Sequence, residues 1–502
     1  MNNKLLGKNL NFNQIFFIIF IPTLVSGPLI PELLMFLLIS YYFYKNREFP
    51  KLSKNLKLFS IFLITFYVYL NLNTFFFSFD LNVSVKSTLP YIRLILFSLI
   101  IGKILIEDEN KILGKLLVYS SFALLFILLF DSLIQLKTGY NIFGNNYSSG
   151  RISSLFGSEQ IMGSFVVKIL PLIFCFLYLT NLNKINYYKI IFLIITIVLI
   201  ILSSERVALA HYILVLFLIL FIETKSIKYF FISIFSLFFL IIVGLNIYTP
   251  AKERVMNATL KQLKSSTTLF APSYRHEMHY FTAIYIFLDN PIFGKGIKSF
   301  RYECDDYESD MINKINNDKA IYAPYDGIAK LISVDFMSGK RELIRFFQYN
   351  YGLGTIENTL YKTYYFSDHY KKFSSKLNTN TLIKKGEFIL ASNDYSNGCN
   401  THPHNYLLQF LSEIGIIGFL FYLIFFVYLL VGFSKIILLK LSHYKLLNLH
   451  KAIFIMMGST FIELLPILPS GNFFNNWLSM IFFLKVGVIF FLIQNNQPKN
   501  LS

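Results

Sequence analysis

The chain has 502 residues, of which 55% are hydrophobic and only 15% charged, with a mean hydropathy of +0.54. A soluble protein would carry roughly a quarter charged residues, so this composition excludes an ordinary water-soluble domain and predicts a polytopic membrane protein. The formal charge of +18 does not by itself imply nucleic acid, because distribution rather than the total decides that question.

In chain order, apolar stretches of about 20 residues predict an all-α fold of about twelve transmembrane helices. They cover 13–28, 30–44, 56–77, 88–106, 111–135, 155–180, 187–203, 206–223, 227–248, 404–433, 449–467 and 475–494. The first two are separated by Ser26-Gly27-Pro28 and read as retained spans rather than a cleaved leader. With a cytoplasmic amino terminus, about 19 Lys and Arg fall in cytoplasmic segments and about four in short external loops. The basic clusters Lys45–Lys57 and Lys435–Lys451 then both lie inside. Most of the positive charge is therefore topogenic, both termini are expected in the cytoplasm, and no nucleic-acid partner is expected. The chain divides into helices 1–9 (1–248), a large external loop (249–403), and helices 10–12 with a short tail (404–502). Loops of that length are usually functional. This one contains a region around 305–398 whose alternating runs APYDGIAKLISVDF and LIKKGEFILA predict strands, hence a small β-rich insertion.

The loop ends in THPHNYLLQFLSEIGIIG, Thr401–Gly418. For a helix starting near His404, residues His404, Leu408, Leu411, Gly415 and Gly418 share one stripe, with Gln409 and Glu413 on another. The two glycines would admit a neighbouring helix. The helix dipole disfavours imidazolium at His404, and a neutral imidazole accepts protons. Asn405 can orient a ring or hold a hydroxyl. The plainer reading makes His402 and His404 interfacial polar residues. A metal site would have to draw on His276, Glu277 and His279, but HEMH lacks the spacing of a HExxH helix and no Cys or carboxylate completes a set.

Four arginines map to or near the same external face: Arg206 in SSERVALAH, Arg275 in APSYRHEMHYF, Arg151 in GRISSLFGSE and Arg93 in LPYIRLILF. Each alone reads as a snorkelling or ion-paired side chain. Together their planar forks suit a phosphate or diphosphate. Glu159, Glu463 and Asp131 are either their structural partners or sugar-binding groups.

These residues resemble the O-antigen ligase and polymerase superfamily of bacterial inner membranes. The ligase signature, His then Asn, Ser or Gln, nine residues, then Gly-x-x-Gly, is matched by His404-Asn405, Tyr406–Ile414 and Gly415–Gly418. DNPIFGKGIKSF (Asp289–Phe300) is similar to the superfamily's Pro-x-x-Gly-x-Gly stretch. RISSLFGSEQIMGSF and PSGNFFNNW are also similar to its segments. The resemblance implies transfer of a glycan from an undecaprenyl-diphosphate carrier at the periplasmic face, without metal, nucleotide or other cofactor. It implies His404 as the catalytic base and Arg206 and Arg275 as diphosphate ligands. Arg151, Arg93, Glu159, His402 and Asn405 are further candidates. Lipid A–core is the first expected acceptor. A repeat-unit polymerase and a protein O-glycosylating enzyme share this layout. A lipid-linked glycan flippase is the alternative from another class, but no internal repeat is visible. In an oxidising periplasm, Cys304 and Cys399, which bracket the insertion, could form a disulfide.

Overall fold

The computed structural model describes residues 10–47, 50, 54–108, 111–146, 150–180, 185–224, 226–260, 273–304, 320–323, 325–336, 339–350, 355–365, 370–377, 379–392, 398–442 and 445–495. It consists of apolar helices that surround one continuous core, with a strand-rich excursion between two of them.

Helices α1 (Phe12–Thr23), α2 (Leu29–Asn46), α3 (Lys54–Phe77), α4 (Leu81–Thr88), α5 (Ile92–Glu107) and α6 (Ile112–Thr138) form the first part. They are followed by α7 (Met162–Leu179), α8 (Ile185–Ser203), α9 (Arg206–Glu223) and α10 (Ile227–Ile247). The short α11 (Tyr274–Asp289) lies in the loop; α12 (Tyr406–Leu441), α13 (Asn448–Leu464) and α14 (Asn476–Asn495) complete the bundle. Among the described residues nine helical segments are long and apolar enough to cross a membrane, with α4 and α5 making one of them. The chain is thus a multi-pass membrane protein.

Three of the expected twelve spans are not in that class. α1 has 12 residues and ends in a tight turn at Ser26, α13 has 17, and α2 closes on the polar run YYFYKN. The expected span 155–180 begins only at Met162, because Ser154–Phe156 form a 3-10 turn. α7 is the buried centre: it packs on α6, α8, α9 and α13, and nearly every side chain is enclosed. α10 is peripheral and mostly exposed to the surroundings, as befits an all-apolar helix facing lipid.

The feature that positions the site is a break in α12. Gly415 has φ 65° and ψ −170°, so it interrupts the helix and frees carbonyls that would otherwise bond within it. Lys295 N–H donates to Ser412 O (3.3 Å), Gly296 N–H to Glu413 O (2.7 Å), and the Tyr69 hydroxyl to Ile414 O (2.5 Å). On the far side of the break, Ile416 N–H donates to Pro291 O (2.8 Å) and Ile417 N–H to Ile292 O (3.4 Å). The Pro291–Gly296 loop is therefore hydrogen-bonded to α12 on both sides of its break. A Cβ at Gly415 would lie 2.3 Å from Ile292 O, and one at Gly294 would lie 2.6 Å from Glu413 O. The Gly-x-x-Gly segment thus departs from the expected helix-packing stripe. Gly415 receives a loop backbone, and Gly418 faces Ile414 of its own helix.

The excursion carries β1 (Ala320–Tyr322), β2 (Gly327–Phe336), β3 (Gly339–Asn350), β4 (Thr355–Tyr365), β5 (Tyr370–Phe373) and β6 (Phe388–Ser392). Two antiparallel sheets, ordered β1-β6-β5 and β2-β3-β4, share a small core of Ala323, Ala329, Phe346, Ile383 and Ile389. Of the insertion expected at 305–398, residues 305–319, 324, 337–338, 351–354, 366–369, 378 and 393–397 lie outside the described residues. A disulfide joins Cys304 to Cys399, with Cα atoms 5.2 Å apart, so the excursion leaves and returns at one point.

Candidate functional site

The site is assembled at the end of the bundle from which the strand-rich excursion departs. His404 does not open α12. It stands two residues before it, with φ 57°, in a conformation uncommon for a residue bearing a side chain. Two contacts hold it there: Ser470 N–H donates to His404 O (2.8 Å), and Asn405 takes the capping position. Asn405 Oδ1 accepts from Leu408 N (3.2 Å) and its Nδ2 donates to Pro466 O (2.9 Å). Both ends of that amide thereby meet backbone groups, and the Tyr280 hydroxyl is also within its reach. Behind it, Gln409 bonds Asn472 Oδ1 (2.8 Å), Glu413 Oε2 (3.2 Å) and Phe473 N (3.0 Å), clamping α12 to the turn before α14.

The amide that meets the His404 ring belongs to Asn400, 2.9 Å from Nε2. Thr401 N–H donates to Asn400 Oδ1 at 2.7 Å. This fixes the amide so that its Nδ2–H faces the ring, and Nε2 therefore carries the lone pair.

Three more imidazoles surround His404. Its ring centroid lies 4.1 Å from His402, 5.3 Å from His279 and 5.4 Å from His276. His402 is held by Thr401 Oγ1 (2.8 Å) and Ser470 O (3.3 Å), and His276 Nδ1 by Ser273 Oγ (2.7 Å), the residue that also caps α11. Burial, followed by repulsion from His404, pushes His276 down to about 4, and His279 and His402 to about 3. Burial also lowers His404, against a smaller opposing effect of its contact with Ser470. The cluster is neutral at neutral pH. Among the described residues, no group of three or more His, Cys, Asp or Glu side chains is disposed to hold a metal ion.

His276 links the imidazoles to the arginines, because it is within electrostatic reach of both Arg206 and Arg275. Arg206 opens α9 directly after Glu205, whose carboxylate accepts from Gly163 N (2.7 Å), Ser164 N (3.1 Å) and Ser164 Oγ (2.5 Å) at the start of α7. That anchor at a helix amino terminus sets where Arg206 projects. Arg151 is held by Gln160 through Oε1 (2.5 Å) and O (2.7 Å). Its guanidinium is lowered by burial and by repulsion from Arg254 and Arg206, offset by Glu205. Arg254, on the wide helical turn Lys252–Asn257, completes the patch, and its buried Nε has no hydrogen-bond partner. The sequence signal that would have found it is an arginine just beyond the end of a span on the same side as the loop.

Arg93 stands apart. It is in an ion pair with Glu32 at 2.6 Å and also donates to Pro90 O. Of the acidic residues read as partners of the arginines or as sugar-binding groups, two have other partners. Asp131 accepts from Ile142 N (2.7 Å) and Ser154 Oγ (2.6 Å), while Glu463 pairs with Lys485 (2.5 Å) and Lys168 (3.5 Å). Glu159 is exposed on the wall of a cavity of about 1130 Å³ that His402 also lines. Cys304 and Cys399 hold the turn bearing Arg301 against the loop bearing His402 and His404.

Chemically, a neutral imidazole with an available lone pair beside a cluster of guanidinium groups can accept a proton while an adjacent oxyanion is stabilised. No protein-family profile matches the chain, and no curated protein resembles it significantly.

Proposed function

We propose that this chain is a membrane glycosyltransferase of the O-antigen ligase type. It would move a glycan from an undecaprenyl-diphosphate carrier to an acceptor hydroxyl at the external face of a bacterial inner membrane, lipid A–core being the first candidate acceptor. The observation that carries this reading is the juxtaposition around His276, which has the neutral His404 ring 5.4 Å away and the positive charge of Arg206 and Arg275 within electrostatic reach.

In this reading the acceptor hydroxyl replaces the Asn400 amide at His404 Nε2. Its oxygen attacks the anomeric carbon of the donor sugar, and the bond from that carbon to the diphosphate oxygen breaks. The hydroxyl proton goes to Nε2, and the electron pair leaves with the diphosphate. General-base assistance of this kind contributes about 10²–10⁴-fold. Fixed guanidinium groups stabilise the departing charge most where water is scarce, and Arg206, Arg275, Arg254 and Arg151 supply them. An inverting displacement is the simplest stereochemistry. Holding both lipid-anchored substrates at one membrane surface removes most of the encounter cost.

The test is reconstitution of purified protein with a lipid-linked glycan donor, with lipid A–core present or absent, and products resolved by mass. Transfer only with core supports the ligase, and longer lipid-linked chains without core support the polymerase. His404→Ala should abolish transfer by 10²-fold or more while donor binding survives. Undiminished turnover in His404→Ala would refute the assignment and favour transport.

A further inference from the structure

The 1130 Å³ cavity beside the histidines carries positive charge that the chemistry above leaves unused. Its wall includes Lys298 and Arg301 near the histidine loop, and Lys168 and His211 further into the bundle. Three cationic side chains, Lys168, Lys298 and Arg301, line it together with two carboxylates, Glu159 and Glu463, and a third carboxylate, Glu413, is within electrostatic reach of Lys298 and Arg301. One of these is already shared, because Glu463 bonds Lys485 at 2.5 Å and leaves Lys168 at 3.5 Å. One carboxylate cannot neutralise two ammonium groups, so the deep wall has a net positive charge.

Unpartnered polar atoms on residues lining this cavity point the same way. Arg301 Nε and Ser470 Oγ, both able to donate to an oxyanion, are buried without a hydrogen-bond partner, a state native proteins rarely leave unexplained. Lys298 sits at φ 64°, in a strained conformation for a lysine, at the end of the loop that is bonded to the break in α12. Strain of this sort persists where the surroundings impose it, and it clusters at binding sites. Arg301 is fixed by the neighbouring disulfide and by its reach to Thr401 O (3.5 Å). The donor-side guanidinium groups of Arg151, Arg206 and Arg254 do not line this cavity.

We propose that this cavity is a second oxyanion site, separate from the guanidinium patch, and that it receives the phosphate or carboxylate group of a negatively charged acceptor. The assignment of that ligand as the acceptor rests on the transfer reading above. Lys298 and Arg301 take the anionic group where the cavity meets the histidine loop, and Lys168, beside His211, offers a second cation deeper in. An acceptor anchored at this cavity has its hydroxyls beside His402, which lines it and whose ring lies 4.1 Å from that of His404.

The chain contains one tryptophan, Trp477, and it lines the cavity, with its indole N–H fixed on Leu24 O at 2.8 Å. Its fluorescence therefore reports on the wall of this cavity. Full-length protein in a neutral detergent would be titrated with inorganic phosphate, with short-chain phosphatidic acid and with short-chain phosphatidylcholine. The expected result is a saturable change with at least one of the first two and none with the third. Arg301→Met and Lys168→Met should each raise the apparent Kd tenfold or more, whereas Arg206→Met should shift it less than twofold. Saturation by inorganic phosphate identifies a free oxyanion as sufficient. Saturation by phosphatidic acid only identifies a lipid-borne phosphate. Absence of saturation with both, an equal response to phosphatidylcholine, or loss in Arg206→Met with retention in both Arg301→Met and Lys168→Met overturns the proposal. Because the readout is binding, it stands or falls independently of turnover, which the His404→Ala experiment addresses.

Discussion

Replacing Gly415 by alanine tests whether the break in α12 holds the site together. The new Cβ would lie 2.3 Å from Ile292 O, 2.4 Å from Ile292 C and 2.6 Å from Phe293 N, all backbone atoms of a loop bonded on both sides of the break. A positive φ with ψ near 180°, a region essentially reserved for glycine, costs an L-residue about 1–3 kcal/mol. Relieving the clash requires the loop to move, which loosens at least the bonds from Ile416 N to Pro291 O and from Gly296 N to Glu413 O. At about 1 kcal/mol each, the expected loss is about 3–5 kcal/mol. Gly418→Ala is the internal control. Gly418 has ordinary helical geometry and its crowding comes from the Ile414 side chain, so repacking plus the helical preference of alanine limits the loss to about 1–2 kcal/mol. The assay is unfolding in detergent followed by helical circular dichroism. If Gly415→Ala loses no more stability than Gly418→Ala, the account of the α12 break is wrong.

Other predictions concern the imidazoles and the staple. His276, His279 and His402 have folded pKa values of about 4, 3 and 3, below the ordinary 6.5, so the unfolded chain binds more protons in that window. Stability should therefore be full above pH 6.5 and decline as pH falls toward 4, by about 1.4 kcal/mol per pH unit for each imidazole still neutral; His279→Gln should flatten the slope in acid melts. Asn400→Asp places a carboxylate on His404 Nε2, favouring its protonated form. Transfer at pH 7 should fall about tenfold or more, with the acid limb of its pH profile moving to higher pH, and an unmoved limb would count against Nε2 as the base. Removing the Cys304–Cys399 bridge by Cys304→Ser should lower stability by up to about 4 kcal/mol and reduce transfer. Thiol labelling that is the same with and without reductant would show that the bridge does not form.

Much of the fold is legible because a long apolar run has few alternatives to a membrane helix. Ile227–Ile247 and Ile185–Ser203 announce themselves by composition. The short helices are harder, since α13 derives its burial from tertiary packing on α7, α9 and α12 rather than from length. The arginines of α9 and α11 are readable as a pair only through the shared side of the membrane, and the structure brings both within reach of His276. Asn400 has no signal in the sequence, because its role depends on a turn that folds it back onto a ring four residues later. Helical periodicity predicts a stripe through the Gly-x-x-Gly segment and fails at Gly415, where the backbone leaves the helix. Arg254 lay in a stretch with no periodic signal at all, on an irregular turn.

The trio Lys168, Glu463 and Lys485 also bears on how the chain enters the bilayer. Lys485 lies near the middle of α14 with no exposed side-chain surface, and its counter-charge is on α13. A lysine at the centre of an isolated span costs about 2.5–3.5 kcal/mol to insert. α13 and α14 should therefore leave the translocation machinery as a hairpin, already ion-paired, and dock against a first half that supplies Lys168 from α7. Lys485→Leu would allow α14 to insert alone, making the order of the last two helices observable in a glycosylation-tag insertion assay.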